Sequence, residues 1–299
     1  MVAGENVALL LPRQLAGDEF RHAFCTKHLA EMCVISTKTT EQNNAFPLYL
    51  YQASEGAELD FAGDKNRRIV RTPNLSSSFL KTLAGALELP IAPSSEMPQG
   101  LTHEDIFHYA YAVFHSPGYR SRYAEFLKID FPRLPLTSSL DLFRALAKLG
   151  GELVALHLME FEMVGRAGPA RRSSDRSALR LDSGQAGGPY QQLTEFIGGK
   201  NPEVEKVTYS DESVWIDKSQ TEGFRGVPEN VWNFHIGGYQ VCEKWLKDRK
   251  GRTLTPDDIA HYHRIVVALS ETIRLMAEID QVIEKHGGWP GAFQARSSV

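Results

Sequence analysis

The chain has little cysteine, no long apolar run and no surplus of positive charge, and each shortage closes off a class of function. Three cysteines in 299 residues (Cys25, Cys33, Cys242) are too few and too scattered for a disulfide framework, and no C-x-x-C pair offers a zinc site. That count fits a reducing compartment with buried free thiols. No apolar run reaches the roughly 18 residues of a membrane-spanning helix, and no charged-then-apolar leader opens the chain. Both absences point to a cytoplasmic protein without membrane contact. Net charge is −4, unlike the basic surplus of a free-standing nucleic-acid binder. Any grip on DNA must come from local clusters or from partner domains.

Catalytic motifs are missing as well. Methyl transfer to a base amino group needs a Gly-rich cofactor loop and a D/N-P-P-Y/F tetrapeptide. Phe46–Pro47–Leu48–Tyr49 echoes the second but lacks the polar first residue that would hold the amine. No G-x-x-x-x-G-K-S/T phosphate loop occurs. Asp248–Arg249–Lys250 has the D-x-K spacing of metal nucleases but sits where a helix ends before Gly251. Among ten histidines, neither the pair His108 and His115 nor the pair His261 and His263 has a third ligand at zinc spacing. The chain reads as non-catalytic by itself.

What is present is a chain of α+β class: a strand-rich N-terminal part and a β-hairpin packed on a helical C-terminal half. The opening MVAGENVALLLPRQ enters an apolar run with no leading element, as in a chain that begins inside a larger architecture. Short apolar runs at 7–12, 32–36 and 46–52 predict strands within a recognition part at 1–60, with a polar loop from Ser36 to Asn44. A helical part follows at 73–160. It includes helices over 76–89 and from 103, a break at Ser116–Pro117–Gly118, and a long helix capped by Ser138 or Ser139 with a Leu142, Leu146, Leu149, Leu153 and Leu156 stripe. The Arg/Gly/Ser-rich stretch 165–199 reads as a flexible insertion. A hairpin with helical support occupies 200–288: strands alternate around Ser210–Ser213, and Thr255–Pro256–Asp257–Asp258 opens a last helix with an Ile259-to-Met276 seam.

Recognition chemistry is what remains. Lys244, Lys247, Arg249, Lys250 and Arg252 put five basic residues within nine positions, and KNRRIVR at 65–71 is a second cluster. Either can be a solvated face or a phosphate grip. Base edges are read by Arg or Lys on guanine and by Asn or Gln on adenine. Arg13 and Gln14 follow a strand; Lys38, Gln42, Asn43 and Asn44 crowd one loop; Lys218 and Gln220 end the hairpin. These, with Lys247, Arg249, Lys250 and Arg252, are the candidate DNA contacts.

Several long strings carry a family likeness: EDIFHYAYAVFHSPGYRSRYAEFLKIDFPRLPL at 104–136, GVPENVWNFHIGGYQVCEKWLKDRKGRTLT at 226–255 and DDIAHYHRIVVALSETIRLMAEID at 257–280. With LLPRQLAGDEFRHAFCTKHLAE at 10–31, they make the chain resemble the C-terminal specificity region of Type ISP restriction–modification enzymes. Stretch 165–199 has no counterpart in that likeness. The resemblance implies binding of a short asymmetric double-stranded DNA sequence and presentation of an adenine for N6 methylation by an adjoining methyltransferase. Nuclease and helicase-like domains of the same system would complete the enzyme. S-adenosylmethionine, ATP and Mg2+ would serve those domains, with no cofactor on this chain. The competing reading is a scaffold or inactive remnant that docks another protein through the 259–276 seam.

Overall fold

A computed structural model describes residues 4–15, 19–21, 23–34, 42–53, 69–92, 96–164 and 190–294. They form two compact units. The first runs to Val154 and takes up the chain again at Glu278; the second is Ala155–Ala277.

In the first unit, β1 (Ala8–Pro12), β2 (Phe24–Thr26) and β3 (Asn43–Pro47) form an antiparallel sheet ordered β2-β1-β3. The apolar run of β1 suits its central place, with Ala8, Leu10 and Leu11 all buried. Asn44 pairs with Leu11 and Asn43 with Pro12. A separate antiparallel ribbon joins β4 (Tyr49–Ala53) to β5 (Ile69–Pro73).

Helices follow, and their starts are written in side chains. α1 (Ser77–Ala86) begins at Ser76, whose Oγ accepts from Phe79 N. α2 (His103–His115) opens with a capping box: Thr102 Oγ1 accepts from Asp105 N at 3.1 Å, and Asp105 accepts from Thr102 N at 2.8 Å. Ser116 then caps α3 (Pro117–Arg122), and α4 (Ala124–Ile129) follows directly. Asp280 anchors the break, accepting from Ser116 Oγ and, at 2.9 Å, from Gly118 N. A Cβ on Gly118 would lie 2.8 Å from the Trp289 ring, so the HSPG string is a packing requirement. For α5 (Leu140–His157) the cap is Ser139, whose Oγ accepts from Leu142 N. All five leucines of its stripe are buried, at roughly 1.5–3 kcal/mol each. Gly150 permits close approach of α2, since a Cβ there would fall 1.8 Å from the His108 carbonyl oxygen.

The second unit holds a parallel pair, β6 (Met163–Val164) with β7 (Tyr190–Gln191). Beside it in sequence, β8 (Glu195–Ile197), β9 (Thr208–Ser210), β10 (Ser213–Trp215) and β11 (Gly223–Arg225) form an antiparallel sheet ordered β8-β11-β10-β9. The β9–β10 turn places Asp211 and Glu212 at φ 49° and 50°, the left-handed pair that matches strand twist in a tight hairpin. α6 (Glu229–Trp232), the small hairpin β12 (His235–Ile236) and β13 (Tyr239–Gln240), and α7 (Val241–Lys247) come next. α8 (Pro256–Lys285) completes the unit with its residues up to Ala277. Its remainder and α9 (Gly288–Gly291) belong to the first unit. The core of the second unit joins Val214, Phe224, Cys242, Leu246, Tyr262 and Val266. Its hairpin therefore packs on α7 and α8, as expected.

The α+β class holds, with differences in placement. α1 to α5 precede the four-stranded sheet, and α6 to α9 come after its last strand in the chain. Met32–Val34 is a turn rather than a strand, with Met32 57% exposed. Both edges of β1 are already taken, one of them by β2, which the sequence pattern does not announce. Asn43 and Asn44 lie on β3 rather than in a loop. Of the stretch read as a flexible insertion, 165–189 lies outside the described residues, while Tyr190–Gln191 and Glu195–Ile197 are strands. Cys33 is exposed instead of buried, and burial pushes the Cys242 thiol up to about 12.

Burial holds His108 and His263 below the usual imidazole value of 6.5, and burial with Arg249 and Arg264 does the same for His261. A folded-state pKa below the unfolded one means that the unfolded chain gains more protons as pH falls. This stabilisation is complete above about 6.5 and is lost as pH falls through the folded values. Urea midpoints should therefore be lower at pH 5.5 than at pH 7.5, and equal midpoints would contradict the assignment.

Candidate nucleic-acid interface

Two segments distant in sequence are tied together in the second unit. Val204 N donates to Arg252 O at 3.1 Å, Gly251 N donates to Val204 O at 2.8 Å, and Leu254 N donates to Pro202 O at 2.8 Å. Gly251 takes φ 76°, a left-handed conformation that favours glycine. Next along the chain, Glu205 N and Lys206 N both donate to Ile216 O, at 2.8 and 3.0 Å. Residues 202–206, the end of β10 and the 247–254 segment thus form one surface. It carries Lys206, Lys218, Lys247, Lys250 and Arg252, all exposed.

The basic run is half neutralised by its own acids. Lys244 pairs with Asp248 one turn on, and Lys247 pairs with Glu243 at 2.8 Å. Arg249 is committed to the fold: its guanidinium lies 3.5 Å from the Trp245 ring centre, donates to Trp245 O at 3.1 Å and meets Asp258 at 3.2 Å. Asp258 closes the α8 capping box, accepting from Thr255 N at 3.0 Å and from its hydroxyl at 2.7 Å. Those bonds, then Arg249, hold the Asp258 carboxyl below its usual range against a smaller opposing effect of burial. Asp248 is the C-cap residue of α7, paired with Lys244, and Lys250 is an exposed cation. Lys250 and Arg252 have no carboxylate partner among the described residues.

The hairpin end is rigidly presented. Partial burial raises the Asp217 pKa, but hydrogen bonds from Glu222 and Thr221 outweigh it and hold the carboxylate low. Lys218 follows, loosely paired with Glu205 at 3.7 Å. Gln220 takes φ 56° and reaches Thr208 Oγ1 only at 3.5 Å, the limit of hydrogen-bond range.

In the first unit, Arg13 leaves β1 and pairs with Asp130 at 3.4 Å while remaining 69% exposed. Gln14 beside it is exposed. Asn43 is used internally: its Oδ1 accepts from Val34 N at 3.2 Å. Asn44 is exposed on the edge strand β3. Gln14 and Asn44 make no side-chain hydrogen bond among the described residues. Lys38 lies outside the described residues. The second basic cluster is represented by Arg71, which stacks on the Tyr49 ring at 4.2 Å. Lys206 is the surface cation absent from the sequence-based candidates; its signal was the polar phase of VEKV between Val204 and Val207.

His115, His261 and His263 are engaged in packing. His115 Nδ1 lies 2.7 Å from Tyr111 O, His263 meets Thr194, and His261 stacks on Trp245 at 5.6 Å. No cluster of three or more metal-binding side chains occurs among the described residues.

The sequence profile of the Type ISP C-terminal specificity domain matches residues 1–278. A comparison with curated proteins found no match. Among solved structures, the ATP-dependent Type ISP restriction-modification enzyme LlaBIII bound to DNA is similar with TM-score 0.61 and 17% identity, over 93% of this chain and 16% of that one. A nuclease-deletion mutant of the Type ISP enzyme LlaGI, in complex with a DNA substrate mimic, gives 0.57 and 18% over 93% of this chain and 21% of that one. The DrdV–DNA complex gives 0.56 and 22%, over 95% and 25%. At these identities the likeness is one of fold, and the chain spans a quarter or less of each of those enzymes.

Arg249 and Lys250 should separate on substitution. Arg249→Ala should cost about 1–2 kcal/mol of stability in chemical denaturation, because it removes both the stacking on Trp245 and the ion pair. Lys250→Ala should stay within about 0.5 kcal/mol. Equal effects would remove the distinction between a structural cation and a surface one.

Proposed function

The chain belongs to the Type ISP C-terminal specificity domain family, and we propose that it recognises a short double-stranded DNA target for such a restriction–modification system. Lys206, Lys218, Lys247, Lys250 and Arg252 of the second unit contact phosphates. Gln14 and Asn44 of the first unit, with Arg13 once released from Asp130, approach base edges. The observation that carries this reading is the gathering of exposed cations from two sequence-distant segments onto one surface of a chain whose net charge is −4.

Phosphate contacts give sequence-independent grip, while amide and guanidinium side chains can discriminate bases. An acidic chain with a limited basic surface needs help, and the remaining parts of the enzyme supply it. In this reading adenine-N6 methylation and DNA cleavage belong to those parts. S-adenosylmethionine, ATP and Mg2+ are their cofactors, and the whole works in the cytoplasm. Among the described residues no helix is long and apolar enough to cross a membrane.

The scaffold alternative loses its surface. Tyr262, Val266 and Leu269 of the proposed seam are buried in the chain's own core, with Ile259 and Ile273 packed against it. That seam is not free to dock a partner.

Replacing Lys218, Lys247, Lys250 and Arg252 together with Ala should weaken binding to all duplexes by the same factor. It should also flatten the dependence of log affinity on log salt by about 0.9 for each phosphate no longer neutralised. Gln14→Ala or Asn44→Ala should instead change preference at one base pair by about 1–3 kcal/mol. Titrations of variant and parent chains, each joined to the methyltransferase part, over single-base-substituted duplexes read both effects. A parent with no salt-dependent binding would sink the proposal.

A further inference from the structure

We infer that the shallow cleft of about 140 Å3 lined by Val204, Glu205, Lys206, Val207, Lys247 and Lys250 is a seat for a single phosphate group, with Glu205 as its built-in competitor. This deepens the DNA reading and rests on it for the identity of the ligand, a backbone phosphodiester.

The seat is preformed. Its floor is apolar, with Val204 fully buried, and its walls come from segments locked by the backbone bonds of Val204 to Gly251 and Arg252 and of Lys206 to Ile216. Lys206 and Lys250 stand at the cleft without a carboxylate partner among the described residues, while Lys247 is drawn toward Glu243 at 2.8 Å. An apolar floor lowers the local dielectric, which strengthens the attraction of an anion to the ammonium groups around it. Lysine is a compact charge that tolerates any anion orientation, which suits a repeating backbone group better than a base edge.

Glu205 is the one acid lining the cleft, and it draws Lys218 to itself at 3.7 Å. It opposes an incoming phosphate in two ways, by repulsion and by occupying Lys218. The consequence is a surface that holds DNA weakly unless other contacts contribute. Non-specific binding, which is almost wholly electrostatic, is restrained most.

The test has two arms on the full chain. In the first, acetylation of individual lysines is followed by mass spectrometry with inorganic phosphate or with chloride at equal ionic strength. Phosphate should slow Lys206 and Lys250 severalfold while leaving the exposed Lys81 and Lys148 unchanged; equal slowing of all four overturns the seat. In the second, duplex binding is measured against salt with the methyltransferase part joined. Lys206→Ala should flatten the slope by about 1, and Glu205→Gln should tighten binding and steepen the slope by about 1. Unchanged slopes in a parent that binds DNA overturn the inference. Phosphate protection in a parent that never binds DNA supports the seat and sinks the DNA reading instead.

Discussion

The exchange of backbone hydrogen bonds between Val204 and the Gly251–Arg252 turn is the constraint on which the basic surface of the second unit depends. It requires a left-handed residue at Gly251 and fixes where three otherwise separate pieces of sequence meet. Without it, Lys206 and Lys218 would belong to a hairpin and Lys247 to Arg252 to a helix end. With it, they form one exposed patch. The core beneath, where Phe224 meets Tyr262 at 4.2 Å and Tyr209 stacks on Trp232 at 5.0 Å, keeps the patch rigid.

Electrostatics then divides labour within that patch. Two of its ion pairs serve the fold: Arg249 with Asp258 fastens the start of α8, and Lys244 with Asp248 closes the end of α7. The more exposed pair, Lys244 with Asp248, contributes little to stability, but both pairs take charge from the basic run. The cations left for a ligand are fewer than the run of basic residues implies. In the DNA reading proposed above these cations would give a modest phosphate grip, in keeping with a chain that spans a quarter or less of the similar enzymes.

Local signals in the sequence were the most readable. Ser139 and Thr255 cap helices because their hydroxyls can reach the free amides three residues on. The β9–β10 hairpin was visible from its alternation. Non-local facts were not readable. β2 is only three residues long and has no periodic signal. The pairing of Asn43 with the 32–34 turn and the neutralisation of Lys247 and Arg249 depend on which neighbours the fold supplies. The Gly-punctuated and HSPG strings carried the family likeness, yet their side chains mostly pack the units. The family-marking strings also hold the exposed candidates Arg13, Gln14, Lys247, Lys250 and Arg252, so family-marking and candidate recognition residues overlap.

The central claim is that strand ends of the first unit face bases while the basic surface of the second faces phosphates. Photo-cross-linking from halogenated pyrimidines placed through the target duplex tests it most directly, because such bases react only with side chains that touch their edges. The account predicts cross-linked peptides from 8–15 and 42–47, and none from 247–254. Base cross-links concentrated at 247–254, with none in the first unit, would contradict it.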